Sequence, residues 1–163
     1  MTALEGLLDD YTFRSVSDTD RDKKFEELMK AFLRTDEEWA ATFDAVWSWD
    51  EWPGRQGPGD EIDLVARERS TANLVAVRCA FYDPSQPLSK PDIAPFLSAS
   101  NRPPFTARLV VATTDAWDKD IDDAIQHEEK PVRRVGLTQM LGSSVDWTQF
   151  GSRTVAVARR ARS

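Results

Sequence analysis

The chain has 163 residues, with 21 Lys and Arg against 28 Asp and Glu, a net charge of −7. This length suits one domain with a core able to stand without disulfide or metal staples, and 40% hydrophobic with 30% charged residues excludes a disordered chain. No apolar run approaches the ~20 residues of a membrane span, and MTALEGLLDD has neither the basic start nor the cleavage site of a signal peptide, so a cytoplasmic protein without a membrane partner is expected.

Residues 1–19 are polar and acidic and read as a lead-in. Phe25, Leu28, Met29, Phe32 and Leu33 recur at helical spacing, which predicts an amphipathic helix over 21–34 capped by Ser17 or Asp18. A second short helix is expected over 36–42, and FDAVWSW then reads as a strand ending in the loop Pro53–Gly59. Two further strands, 62–67 and 74–82, form an antiparallel hairpin. Beyond the prolines at 84, 87 and 91, DIAPFLSAS predicts a helix bent or shortened by Pro95. RLVVATT (108–114) is a buried strand, DKDIDDAIQHEEK an acidic helix with Ile121, Ala124 and Ile125 facing inward, PVRRVGL a last strand and LTQML a last helical turn. This order predicts a mixed α/β architecture with helices over a central sheet. The final residues, 151–163, carry Arg153, Arg159, Arg160 and Arg162 and no acid, and read as a basic tail or linker stub behind a domain over 20–150.

Strand periodicity sorts the candidate chemistry, because residues two apart share a face. Val75, Val77, Cys79 and Phe81 fall on one side, and Leu74, Ala76, Arg78, Ala80 and Tyr82 on the other. On the preceding strand Ile62, Leu64 and Ala66 oppose Asp63, Val65 and Arg67. A hairpin closing symmetrically around 70–71 sets Asp63 opposite Arg78, with Cβ atoms about 5 Å apart. An acid beside positions i and i+2 of the next strand is the layout of a carboxylate metal site, if those positions hold an acceptor and a Lys. A lone Cys79 excludes an internal disulfide, and with only His127 beside it a Cys/His zinc site is excluded too.

The segments FEELMKAFL, WDEWPGRQGPGDEIDLVARE, LVAVRCAFYD, DIAPFLSAS and LVVATTDAW together resemble the Mrr-like restriction endonuclease domain of the PD-(D/E)xK superfamily, over about residues 20–150. The version at the N-terminus of single-polypeptide restriction enzymes and restriction-associated helicases is the nearest. The resemblance implies a restriction-endonuclease-like central mixed β-sheet flanked by helices and Mg²⁺-dependent cleavage of DNA. Its implied partners are DNA, helicase or translocase and recognition domains, and a second copy of the chain. Carried over by motif, Asp63 is the metal-binding acid and Glu26 completes the site, while the Q/E-x-K positions fall on Arg78 and Ala80. Glu61 stands where the family has Gly.

Both departures remove chemistry. Arg78 cannot coordinate a cation and can neutralise Asp63 through a bidentate pair, and loss of the Lys withdraws transition-state stabilisation worth about 3–4 kcal/mol by analogy with other electrostatic donors. The reading is a nuclease site closed by an Asp63–Arg78 ion pair, in a chain that cuts poorly or not at all and holds Mg²⁺ weakly. An ordinary cross-strand pair in an unrelated fold, and an engineered Ala80, are the competing readings. Lys90 could supply a displaced amine, though a solvated loop lysine is simpler. Arg55, Arg67, Arg69 and Lys90 are the candidate DNA contacts, and Trp47, Trp49 and Trp52 read as core anchors more readily than as base-stacking platforms.

Overall fold

The computed structural model describes residues 2–57 and 61–150. The elements run α1 (Ala3–Arg14), α2 (Asp18–Thr35), α3 (Glu37–Thr42), β1 (Phe43–Ser48), β2 (Leu64–Glu68), β3 (Leu74–Ala80), α4 (Lys90–Ser100), β4 (Phe105–Ala112), α5 (Lys119–Gln126), β5 (Val132–Val135) and α6 (Leu137–Leu141). Short 3₁₀ turns cover Trp49–Glu51 and Trp147–Gln149. The strands form one mixed sheet in the order β1-β2-β3-β4-β5. β1, β2 and β3 are antiparallel neighbours, and β3, β4 and β5 run parallel. The parallel half needs crossovers, and α4 and α5 supply them. Tail residues 151–163 and part of the loop before β2 lie outside the described residues.

Side-chain alternation along β3 divides the core into the two expected layers. Val75, Val77 and Cys79 pack beneath α1, α2, α3 and α6 with Phe25, Met29, Phe32 and Leu33. Ala76 and Ala80 pack on the opposite face with Ile93 and Phe96 of α4 and Ile121 of α5. The five buried residues of the α2 stripe each contribute about 1.5–3 kcal/mol of gross burial, and Ser17 caps that helix by accepting from the Asp20 amide at 3.0 Å.

Four expectations change. The stretch read as a lead-in contains α1, which buries Leu4, Leu7, Leu8 and Tyr11 and begins in a Thr2–Glu5 capping box. The first strand stops at Ser48, one residue earlier than expected, and Trp49 opens a 3₁₀ turn while still packing in the same layer that Trp47 lies against. Trp49 and Trp52 are each only 5% exposed, with ring centroids 5.3 Å apart, and are core residues. Ile62 joins the α4 and α5 side rather than that of Leu64 and Ala66, because β2 starts after it and the alternation does not extend back. Pro95 does not shorten α4, which continues to Ser100.

Candidate active site

The β2–β3 register pairs Leu64 with Val77, and the Asp63 amide donates to the Val77 carbonyl at 3.0 Å. Asp63 therefore sits at the mouth of β2 across from Arg78, as hairpin symmetry predicts. Arg78 Nη1 donates to Asp63 Oδ2 at 3.0 Å, and the Cys79 amide donates to the same oxygen at 2.7 Å. The contact uses one guanidinium nitrogen, so the bidentate geometry expected from the sequence is not adopted. The Asp63 side chain is 10% exposed and that of Arg78 28%, which places the pair where solvent screens it poorly.

Glu26 arrives from α2 and lines the same cavity as Asp63, Arg78 and Cys79. Burial first, and then Asp63 through hydrogen bond and charge, pushes its pKa up to about 8, against the pull of Lys23. Lys23 Nζ lies 3.7 Å from Glu26 Oε2, an amine that the sequence reading overlooked although its i,i+3 spacing signals the pairing. Burial pulls the Arg78 guanidinium down, but the charge and hydrogen bond of Asp63, with Cys79 and Tyr82, hold it above its ordinary value. The Cys79 thiol is raised by burial, so it offers no thiolate nucleophile. A cavity of about 420 Å³ opens on these groups, with Thr19, Trp49 and Asp50 in its wall.

A raised carboxyl has a definite consequence for stability. Folded Glu26 keeps its proton between about pH 4.5 and about pH 8, where the unfolded chain has lost it, so its contribution is complete below that window and disappears as pH rises through it. Glu26→Gln is expected to flatten the fall in unfolding free energy between pH ~5 and ~8.5, a change of a few kcal/mol measured by urea unfolding at the two ends. An unchanged slope would show that Glu26 does not carry it.

The other positions do not converge on Asp63. Ala80 is 2% exposed and packs among the residues around Trp49, Trp52 and Ile62. Lys90 opens α4 and lines a separate depression with Asp120, Asp123 and His127. Arg67 pairs with Asp44 at 2.8 Å, Arg69 donates to the Ala40 and Phe43 carbonyls, and Arg55 donates to the Trp52 carbonyl at 3.4 Å. None of these four lines the Asp63 cavity.

A divalent ion requires several oxygen ligands. Here the third position is a guanidinium, and one Asp63 oxygen already accepts two N–H groups. Among the described residues no group of three or more His, Cys, Asp or Glu side chains is arranged to hold a metal. The residues present do not fit the divalent ion that such a fold implies, and the arrangement is a charge cluster in which Glu26 and Asp63 meet Lys23 and Arg78.

Sheet order, crossover helices and the acid at the mouth of β2 define a restriction-endonuclease-like domain. A restriction endonuclease family model matches residues 34–156, and the chain belongs to that Mrr-like family. Among solved structures, the chain is similar to the ATP-dependent Type ISP restriction-modification enzyme LlaBIII bound to DNA, with a TM-score of 0.73 and 27% identity, covering 90% of this chain and 9% of that one. It also shares its fold with the DNA modification-dependent restriction endonuclease AspBHI, with a TM-score of 0.54 and 14% identity over 87% of this chain and 37% of that one. The chain thus spans a small part of both relatives. No curated protein matches it. Among the described residues, no helix is long and apolar enough to cross a membrane.

Proposed function

We propose that this chain is a restriction-endonuclease domain of a restriction or phage-defence system that no longer cuts DNA and serves as a DNA- or partner-contacting module. The observation that carries this reading is the pair of substitutions at the centre. Arg78 engages Asp63, and the position of the catalytic Lys holds a buried methyl group, Ala80. Hydrolysis of a phosphodiester in this family depends on Mg²⁺ to polarise phosphate and activate water, with a cation near the developing charge. Asp63, tied to a guanidinium and to a backbone amide, is withdrawn from that task, and no lysine stands beside it on β3.

The context supports a role inside a larger assembly. Residues 1–150 carry a net charge of −11, which disfavours autonomous DNA binding through phosphate contacts. Attached motor and recognition domains would bring the domain to DNA, in keeping with a Type ISP relative whose structure contains DNA. A homodimer, or pairing with an active relative, fits the need of double-strand cutting for two nuclease domains. Arg55, Arg67, Arg69 and Lys90 remain the proposed backbone contacts, in the cytoplasm.

Incubation of supercoiled plasmid with the wild-type chain in Mg²⁺ or Mn²⁺ is expected to leave it uncut, and its DNA affinity should fall only shallowly with salt, as few phosphate contacts require. Metal-dependent nicking that disappears in Asp63→Asn would overturn the reading.

A further inference from the structure

Two carboxyl groups that share a small cavity repel each other when both are charged. Glu26 and Asp63 line one cavity, and they come from elements whose positions are dictated by the core, α2 on one side and the mouth of β2 on the other. A fold keeps an acid pair of this kind when one acid holds a proton or a cation compensates the charge. In a metal-dependent centre that cation is an exchangeable ion. Here it is covalently part of the chain. Arg78 Nη1 is 3.0 Å from Asp63 Oδ2, and Lys23 Nζ is 3.7 Å from Glu26 Oε2 on the other side of the pair.

The guanidinium is well suited to permanent residence. It stays charged at any pH a protein survives. β3 is the central strand, hydrogen-bonded to β2 and β4, so the Arg78 backbone cannot swing away. The Cys79 amide fixes Asp63 Oδ2 in the orientation that receives Nη1. A guanidinium and a divalent ion bind a carboxylate oxygen competitively, because both seek the same lone pairs and repel each other.

We propose that Arg78 is a built-in cation that has taken over the metal's structural place, and that the Glu26–Asp63 pair beneath it is a latent divalent-cation site that Arg78→Gln alone reopens. This deepens, and rests on, the reading of the chain as a non-cutting domain. It makes Arg78, rather than any loss of the acids, the element that excludes metal. The substituted amide would offer a neutral oxygen beside the two carboxyl groups, the oxygen-rich donor set that hard cations require.

Calorimetric titration of MnCl₂ and thermal unfolding with and without Mn²⁺ test it on the wild type, Arg78→Gln, Arg78→Lys and the double variant Arg78→Gln/Asp63→Asn, with circular dichroism to establish folding. The wild type and Arg78→Lys are expected to show no saturable binding and a melting temperature indifferent to Mn²⁺. Arg78→Gln should bind one Mn²⁺ at least tenfold more tightly and melt higher as Mn²⁺ rises, and both effects should vanish in the double variant. Saturable Mn²⁺ binding by the wild type, or none by a folded Arg78→Gln, would overturn the inference. Plasmid nicking measured in the same buffer separates the two levels: a wild type that cuts defeats the non-cutting reading, whereas one that binds Mn²⁺ and does not cut defeats only the built-in cation.

Discussion

Arg78→Gln combined with Ala80→Lys is expected to nick supercoiled plasmid in Mg²⁺ at least about 100-fold faster than the wild type, the scale associated with one electrostatic donor at a reacting centre. The first change releases the Asp63 oxygen held by the guanidinium. The second supplies an amine two residues along the same strand face. Space is the obstacle, because Ala80 packs in the layer that contains Trp49, Trp52 and Leu88. A longer side chain there costs about 1–3 kcal/mol in overpacking. Melting temperatures therefore accompany the assay, with Arg78→Gln/Ala80→Met carrying the bulk without the amine. A folded Arg78→Gln/Ala80→Lys variant that stays silent would show that the loss of cutting is not confined to these two positions.

The second large effect lies away from the site. Arg108 of β4 has no side-chain exposure and pairs with Glu128 at 2.8 Å. It also donates to Ser100 Oγ at 3.1 Å, to the Leu97 carbonyl at 3.0 Å and to the Lys130 carbonyl at 3.1 Å. One guanidinium thereby joins the end of α4 to the connection between α5 and β5. Arg108→Met leaves two carbonyls and a carboxylate without their donor, and the expected loss is about 3 kcal/mol in urea unfolding. Arg134 and Asp122 form an ion pair in which both side chains are roughly half exposed. Arg134→Met should cost less than about 1 kcal/mol. Equal losses in the two variants would show that burial of Arg108 is not what gives it weight.

The parts of the fold legible from the sequence are those governed by short-range period. The α2 stripe, the two faces of β3 and the pairing of Asp63 with Arg78 follow from spacings of 3.6 and 2 and from the symmetry of one hairpin. The signal for α1 was also present, since Leu4, Leu7, Leu8 and Tyr11 follow helical spacing. The acidic residues between them masked it. The end of β1 and the face taken by Ile62 depart from the sequence pattern for a different reason. Alternation holds only while a strand lasts, and the ends of β1 and β2 are set locally, by a 3₁₀ turn in which Glu51 bonds back to the Ser48 amide at 3.1 Å and by a loop entry. The approach of Glu26 and Lys23 to Asp63 joins α2 to β2 across many residues, and no local pattern encodes that distance. Motif resemblance placed Glu26 there, while Lys23, outside the motif, emerged only from the geometry.

Asp63 is engaged by Arg78, and on the proposed reading this closes it to metal. Anomalous scattering from crystals of the wild-type chain soaked in MnCl₂ tests this most directly. The expected difference map has no peak beside Asp63 and shows Arg78 Nη1 still within hydrogen-bonding distance of its carboxylate. A Mn²⁺ peak between Glu26 and Asp63, with the Arg78 side chain displaced, would contradict it.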